Sequence, residues 1–285
     1  MKVFPISRKR YAWILENNAR IVVDTAISQP KRFTAFTETQ SDSENCVITN
    51  GPNKSGTFLL HRIVDYLKKW EDISVRIETR RHITRNPQGE DSVQRCPAHI
   101  SVGKLKNGQL VHAHLPWNAW LDKRMVQGTS KTRFKHLLIL RDPRDTFVSR
   151  MRAEKWYMRE KFSSDDDYLA HIIDLWKNYY FLDFMPWLNN PNCLAVRFEE
   201  LYPELLDLEQ GKIGNTVKSL IQYLGVDIAS IDPTEFFHYV YGKSLTASAE
   251  RNKVGQFRRM FNDNHYAQID NPKFKNMLGA YGYEW

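Results

Sequence analysis

The sequence predicts an α/β chain, a single domain whose central parallel sheet is flanked by helices, and three observations carry the prediction. Short apolar runs of strand character alternate with longer segments of helical spacing over most of the chain. One of those runs, Lys135 to Leu140 (KHLLIL), is continuous and apolar, as a central parallel strand must be when both of its faces are covered. The chain is 285 residues long, enough for one large core, and has no internal repeat, low-complexity segment or linker.

In order, residues 1–43 combine a short helical pattern, Tyr11 to Ala19, with a Thr- and Ser-rich approach, and are expected to form a peripheral arm. Residues 44–261 are the motif-bearing core and 262–285 a C-terminal tail. Val47 and Ile48 lie in a β-prone run, and Phe58, Leu59, Leu60, Ile63, Val64 and Leu67 then repeat at helical spacing. Ser74 to Thr79 (SVRIET) alternates as a strand does. Arg80 to Lys106, with Pro87, Gly89, Pro97 and Gly103 and little periodicity, reads as a long loop. Gln109 to Leu115 (QLVHAHL) is a strand ending at Pro116, and Trp117 to Val126 a helix.

The KHLLIL strand ends in Arg-Asp-Pro-Arg-Asp, which opens a helix with Pro143 in its first turn, where a missing N–H costs nothing. Asp165 to Leu188 reads as one long helix dense in aromatics. The preceding Ser163-Ser164 and the acids Asp165, Asp166 and Asp167 form its cap, with a surface facing a cationic ligand as the alternative use. Asn192 to Phe198 returns to strand, followed by helices over Glu199 to Leu208, Ile213 to Leu224 closed by Gly225, and Pro233 to Tyr241. Ala249 to Phe261 is basic and glycine-broken.

Composition narrows the function. The 41 Lys and Arg exceed the 33 Asp and Glu by 8, spread along the chain, so the field attracts anions without specifying which. Three cysteines, Cys46, Cys96 and Cys193, fall in no paired spacing, which suits free thiols in a reducing compartment. No apolar run reaches the length of a signal peptide or membrane span, so a soluble cytoplasmic protein is expected. The eight Trp, 13 Tyr and 15 Phe fit a large core first and an aromatic-lined pocket second.

The stretch Cys46 to Leu60 (CVITNGPNKSGTFLL) has the architecture of an anion cradle. Its turn sits at a helix N-terminus, where unpaired N–H groups and the positive dipole end face a ligand and Lys54 adds a full charge. An ordinary strand–turn–helix with a surface lysine shows the same pattern. In a Walker A loop the lysine follows the second glycine; in Gly51-Pro52-Asn53-Lys54-Ser55-Gly56-Thr57 it precedes it, so the core is P-loop-like in architecture only.

Three further segments join this turn: His114-Leu115-Pro116 after a strand, Arg141 with Ser149 eight residues on, and the basic run from Arg251 to Phe261. In order and spacing the set resembles the sulfotransferases that use 3′-phosphoadenosine-5′-phosphosulfate (PAPS). The resemblance covers about residues 44 to 261 and includes Arg197-Phe198-Glu199-Glu200-Leu201, similar to the family's R-Y-E-D-L. It implies that Lys54, Ser55, Gly56, Thr57 and Phe58 lie on the donor's 5′-phosphosulfate side and that Arg141 and Ser149 bind the 3′-phosphate. It further implies that Arg251, Asn252 and Lys253 contact the nucleotide and that His114 is the catalytic base beside Lys54. The product is then PAP, and no metal is implied.

The sequence departs from the family at several points. Phe58-Leu59 stands for the usual Thr-Trp, His112 for a lysine, Phe198 for a tyrosine that donates a hydrogen bond, and Asn252 for the first glycine of the C-terminal motif; the family's dimer motif is not apparent. Length and start resemble the soluble small-molecule members, with cyanobacterial enzymes that sulfate guanidinium alkaloids of the saxitoxin type as one subgroup to test.

The residue types suit the reaction. Sulfuryl transfer builds charge on the oxygen that leaves with phosphate, as phosphoryl transfer does, and a lysine at a helix N-terminus stabilises it. The acceptor hydroxyl or amine must lose a proton, and a neutral histidine takes it. Arginine grips two phosphate oxygens at once. Beside His114, the residues His112, Trp117, Trp120, Trp156 and Tyr157 are the acceptor-side candidates, with a small molecule as partner, a cationic one among the options, and neither membrane nor nucleic acid expected. His112 and His114 share a strand face as a metal pair would, but no third ligand follows at a telling distance. Two readings from other classes stay open: a P-loop kinase or NTPase, and a basic nucleic-acid-binding module.

Overall fold

β1 (Cys46–Asn50) is buried at every position, so it must lie inside a sheet covered on both faces. The computed structural model describes residues 45–68, 74–78, 81–85, 91–95, 105–117, 119–128, 132–158, 162–177, 181–242 and 254–285. The expected arm over 1–43 and the run Arg251 to Lys253 lie outside them.

Five parallel strands stand in the order β2 (Ser74–Glu78), β5 (Leu110–His114), β1, β6 (Phe134–Leu140) and β7 (Cys193–Arg197). The chain leaves β1 first toward β5 and β2, then returns to β6 on the other side. The turn after β1 therefore opens between two strand ends at the point where the order reverses, the usual ligand crevice of such sheets.

Alternating residues feed two apolar layers. Cys46, Ile48, Val111, Ala113, Leu138 and Leu140 pack with α3 (Pro143–Met158) and α4 (Asp165–Trp176). Val47, Leu110, Leu137 and Ile139 pack on the opposite face with α1 (Thr57–Lys68), α5 (Phe198–Asp207), α6 (Asn215–Leu224) and α7 (Pro233–Gly242). Between β5 and β6 runs α2 (Ala119–Gln127). The chain closes with α8 (Phe257–Met260), α9 (Asp263–Ile269) and α10 (Pro272–Ala280). Ile269, Phe274, Met277, Leu278 and Tyr281 enter the first layer, so residues 262–285 help to build the core.

The expected caps are present. Ser164 Oγ accepts the Asp167 N–H ahead of α4, and Gly225 closes α6 in the left-handed region at φ 70°.

Two expectations are corrected. The stretch read as a loop from Arg80 to Lys106 contains an antiparallel ribbon, β3 (Arg81–Arg85) with β4 (Asp91–Arg95). Each strand holds a single apolar residue, Ile83 opposite Val93, too few to give an alternating signal. The helix expected from Asp165 to Leu188 ends at Trp176, and Leu182–Asn189 is a 3₁₀ segment. Pro186 within that segment has no N–H to continue an α-helical ladder.

Among the described residues no helix is long and apolar enough to cross a membrane. Cys46 and Cys193 are free thiols. Burial raises both, Cys193 to about 12, so neither is a thiolate at neutral pH.

Candidate active site

The turn after β1 is shaped by two glycines and a lysine. A Cβ on Gly51 would stand 2.4 Å from the Ile139 carbonyl oxygen, and one on Gly56 2.6 Å from the Phe198 ring. Gly56 has φ 99°, and Lys54, at φ 68°, is the one non-glycine residue with positive φ among the described residues. That conformation costs an L-residue about 1–2 kcal/mol, and such strain collects at ligand sites. Ser55 is buried, and its N–H and hydroxyl both donate to the Pro52 carbonyl, at 3.2 and 2.5 Å, so its side chain holds the turn. Thr57 opens α1 and is buried, while Lys54 and Phe58 are exposed. The first N–H groups of this 12-residue helix have no intrahelical partner, and its positive dipole end faces the turn.

At the end of β5, His112 and His114 project toward the α1 face and are both buried. Nδ1 of His114 lies 2.8 Å from the Gly51 carbonyl oxygen. A carbonyl can only accept, so Nδ1 carries the proton and Nε2 the lone pair. His112 stacks under Phe58 at 4.3 Å between centroids and stands edge-on to His114 at 5.1 Å and to His61 at 5.6 Å. Thr49 Oγ1 donates to the Val111 carbonyl and lies 3.3 Å from His61 Nδ1, which therefore donates to it. Burial lowers the His61 pKa to about 4, so it is neutral at physiological pH.

On the other face, Asn50 joins three strand ends. Its Oδ1 accepts the Leu115 N–H, and its Nδ2 reaches both the Leu115 carbonyl and Nε2 of His136. His136 is fully buried and packs edge-on to Trp187 at 4.6 Å.

The second turn, after β6, is built from charges. Arg141 is 5 % exposed, donates to the Lys54 carbonyl at 3.2 Å and lies 4.5 Å above the Phe198 ring. Phe198 thus supplies a ring face, and a contact for Gly56, in place of the hydrogen bond a tyrosine would give. Asp145, fully buried, lies 3.9 Å from Arg141 and accepts the N–H groups of Gly255 and Phe257 at 2.6 and 2.9 Å. Burial raises the Asp145 pKa against the pull of Arg141 and those two N–H groups, and the same desolvation lowers that of Arg141.

Asp142 pairs with Arg144 at 2.7 Å, and Arg144 also donates to the Glu284 carbonyl. Glu199 accepts the Asp142 N–H and the Tyr283 hydroxyl, at 3.0 and 2.6 Å, and Arg197 donates to the Gly282 carbonyl. The R-F-E-E-L segment thereby stitches the last residues of the sequence to the Arg141 turn.

The structure therefore brings Lys54, Ser55, Gly56, Thr57, Phe58, His112, His114 and Arg141 to one crevice. Ser149, half-buried on α3, falls one helical turn beyond Asp145. Trp117 packs, partly buried, against the layer on the face opposite His114, and its backbone N–H donates to the Asp183 carbonyl. Trp120 is on α2, and Trp156 and Tyr157 on α3; their side chains lie outside the described residues. Asn50, His136 and Tyr283 carry no local sequence signal, because their partners are distant in sequence, whereas Asp145 lies in the Arg-Asp-Pro-Arg-Asp turn and Glu199 in the R-F-E-E-L run.

No curated protein matches the chain. Among solved structures, a crystal structure of retinol dehydratase with androsterone and the inactive cofactor PAP is 13 % identical, with a TM-score of 0.51 over 81 % of this chain and 80 % of that one. A retinol dehydratase complex with retinol and PAP has the same identity and coverage at a TM-score of 0.49. At such identity the first likeness speaks to the fold alone. The family model of the sulfotransferase domain matches residues 44–235, which include the turn after β1, the end of β5 and the turn after β6. The chain belongs to the sulfotransferase domain family and is thus a PAPS-dependent sulfotransferase.

Proposed function

We propose that this chain moves the sulfuryl group of PAPS to a hydroxyl or amine of a small-molecule acceptor, with His114 Nε2 as the base and Lys54 as the cation on the leaving phosphate. The observation that carries the reading is the 2.8 Å contact between His114 Nδ1 and the Gly51 carbonyl. It sets the tautomer a base needs and ties that base to the turn suited to the donor's 5′ end.

The residues suit the donor. The Gly51 and Gly56 backbone has no room for side chains, the helix N-terminus presents N–H groups, and Lys54 is exposed beside Arg141. When bound, PAPS supplies an activated sulfuryl group whose leaving group is a phosphate. Lys54 and the α1 N–H groups then stabilise developing negative charge without rearranging. His114 takes the acceptor's proton on Nε2, and the Gly51 carbonyl, still accepting Nδ1–H, stabilises the imidazolium. Arg141 and Ser149 are assigned to the 3′-phosphate, with Arg251, Asn252 and Lys253 as further nucleotide contacts. His112, Trp120, Trp156 and Tyr157 remain the acceptor side of the proposal; Trp117, packed on the face opposite His114, is not part of it. A solved protein of this fold carries androsterone beside PAP, which supports a small-molecule acceptor. We place the activity in one domain, in the cytoplasm.

The test combines calorimetry of PAP without Mg²⁺ with transfer from labelled PAPS to β-naphthol, tyramine and agmatine, a neutral phenol, a cationic phenol and a guanidinium amine. His114→Ala is expected to bind PAP normally and to lose about 10²- to 10⁴-fold in transfer rate. Transfer at the native rate in that variant would sink the assignment of the base. Binding of ATP with Mg²⁺ in preference to PAP would favour the kinase reading.

A further inference from the structure

Asn50 closes β1 with a buried amide whose hydrogen-bonding groups are all used. Oδ1 accepts the Leu115 N–H at 2.7 Å, and Nδ2 donates to the Leu115 carbonyl at 3.0 Å and to His136 Nε2 at 3.1 Å. The amide thus pairs with Leu115 as one peptide group pairs with another. It carries the link between β1 and β5 past Thr49 and His112, the last residues in register. The Leu115 carbonyl takes a second hydrogen bond from Trp187 Nε1 at 2.9 Å.

The orientation of this amide is set from behind. Full burial holds the His136 pKa down, to about 3, so the ring is neutral and Nε2 accepts. A flipped amide would turn Oδ1 toward the His136 lone pair and the Leu115 carbonyl, and two N–H groups toward the Leu115 N–H.

Asn50 and Leu115 are the chain neighbours of Gly51 and His114, which are themselves joined through Nδ1. The two links act in series on one imidazole: the first fixes the backbone from which the ring hangs, the second its rotation. We infer that Asn50, backed by His136 and Trp187, is a positioning residue that presents His114 in a single tautomer at a fixed place. The inference rests on the reading of His114 as the base.

Three measurements test it on the full chain: the tautomer of His114 by nitrogen NMR, PAP affinity by calorimetry, and transfer from labelled PAPS to the best of the three acceptors above. The first two need no acceptor. Asn50→Ala is expected to lower kcat by about 30- to 100-fold, the scale of a misplacement of about 1 Å, with the Kd for PAP held within about threefold. Its His114 signal is expected to change from one Nδ1–H form to a mixture. Trp187→Phe removes one donor while keeping an aromatic ring; it is expected to lower kcat by about three- to tenfold and serves if Asn50→Ala does not fold.

An unchanged tautomer and kcat in these variants, with His114→Ala inactive, overturns the positioning role and leaves the base standing. PAP affinity falling in step with kcat also overturns it, because Asn50 would then be holding the loop. Full activity in His114→Ala removes the base reading and this inference with it.

Discussion

The turn at Gly51–Thr57 folds on its own Ser55–Pro52 contact and close-packed glycines and leaves its one charge exposed, whereas the turn at Arg141–Asp145 buries its charges and draws partners from the far end of the sequence. In the first, Ser55 folds onto Pro52, glycines admit close packing, and the one charge, on Lys54, is exposed. In the second, Arg141, Asp142, Arg144 and Asp145 are all buried, residues 199, 255, 257 and 284 bond to them, and Tyr283 holds Glu199 in turn. A buried ion pair adds little net stability while intact, but a partner left alone in the interior is costly. The first turn should therefore survive loss of its charge, and the second should not survive loss of any.

The largest effect tests the second turn. Asp145→Ala leaves a buried guanidinium and two buried N–H groups without their carboxylate, and about 3–5 kcal/mol of unfolding free energy should be lost in denaturant titration. A loss below 1 kcal/mol would end the contrast between the turns. Next comes Gly56→Ala, which combines a left-handed backbone with a clash against Phe198 and should cost about 2–4 kcal/mol. Gly211→Ala is its control: φ is 77° but nothing lies within 4 Å of a Cβ there, so only the backbone cost of about 1 kcal/mol should appear.

The third prediction uses pH. His136, which supports the first turn through Asn50, has a folded pKa pushed down to about 3, below the ordinary value of 6.5. The unfolded chain binds the extra proton between those values, so this contribution is whole above pH 6.5 and shrinks as pH falls toward 3. At pH 5 the loss should be about 2 kcal/mol, and His136→Phe, weaker at pH 7, should lack that slope. Equal slopes in the two proteins would refute it. The smallest effect is Lys54→Gly, which relieves the left-handed lysine and should raise stability by up to about 1 kcal/mol while transfer collapses. Loss of stability there would mean that Lys54 also holds the turn.

The same contrast explains what could be read beforehand. Lys54 to Thr57, His114 to Pro116 and Arg141 are contiguous motifs, and the sheet was visible because KHLLIL and QLVHAHL are strands by composition. Asn50, Asp145 and Glu199 act on groups 65, 110 and 84 residues away, and no local pattern announces such a partner. The β3–β4 ribbon was hidden for a different reason, since it is defined by backbone pairing with little apolar content. The end of the helix at Trp176 was masked by aromatics that continue a helical spacing in sequence into the 3₁₀ segment beyond it.

Asp145 also makes the second turn observable from a distance. The amides of Gly255 and Phe257 both end on its carboxylate, the same group that faces Arg141. Their exchange with deuterated solvent is then a gauge of that corner, slow while it is closed and faster each time it opens. An anion held by Arg141 would be registered in two peptide protons on another part of the chain, in a sample that contains no acceptor and turns nothing over.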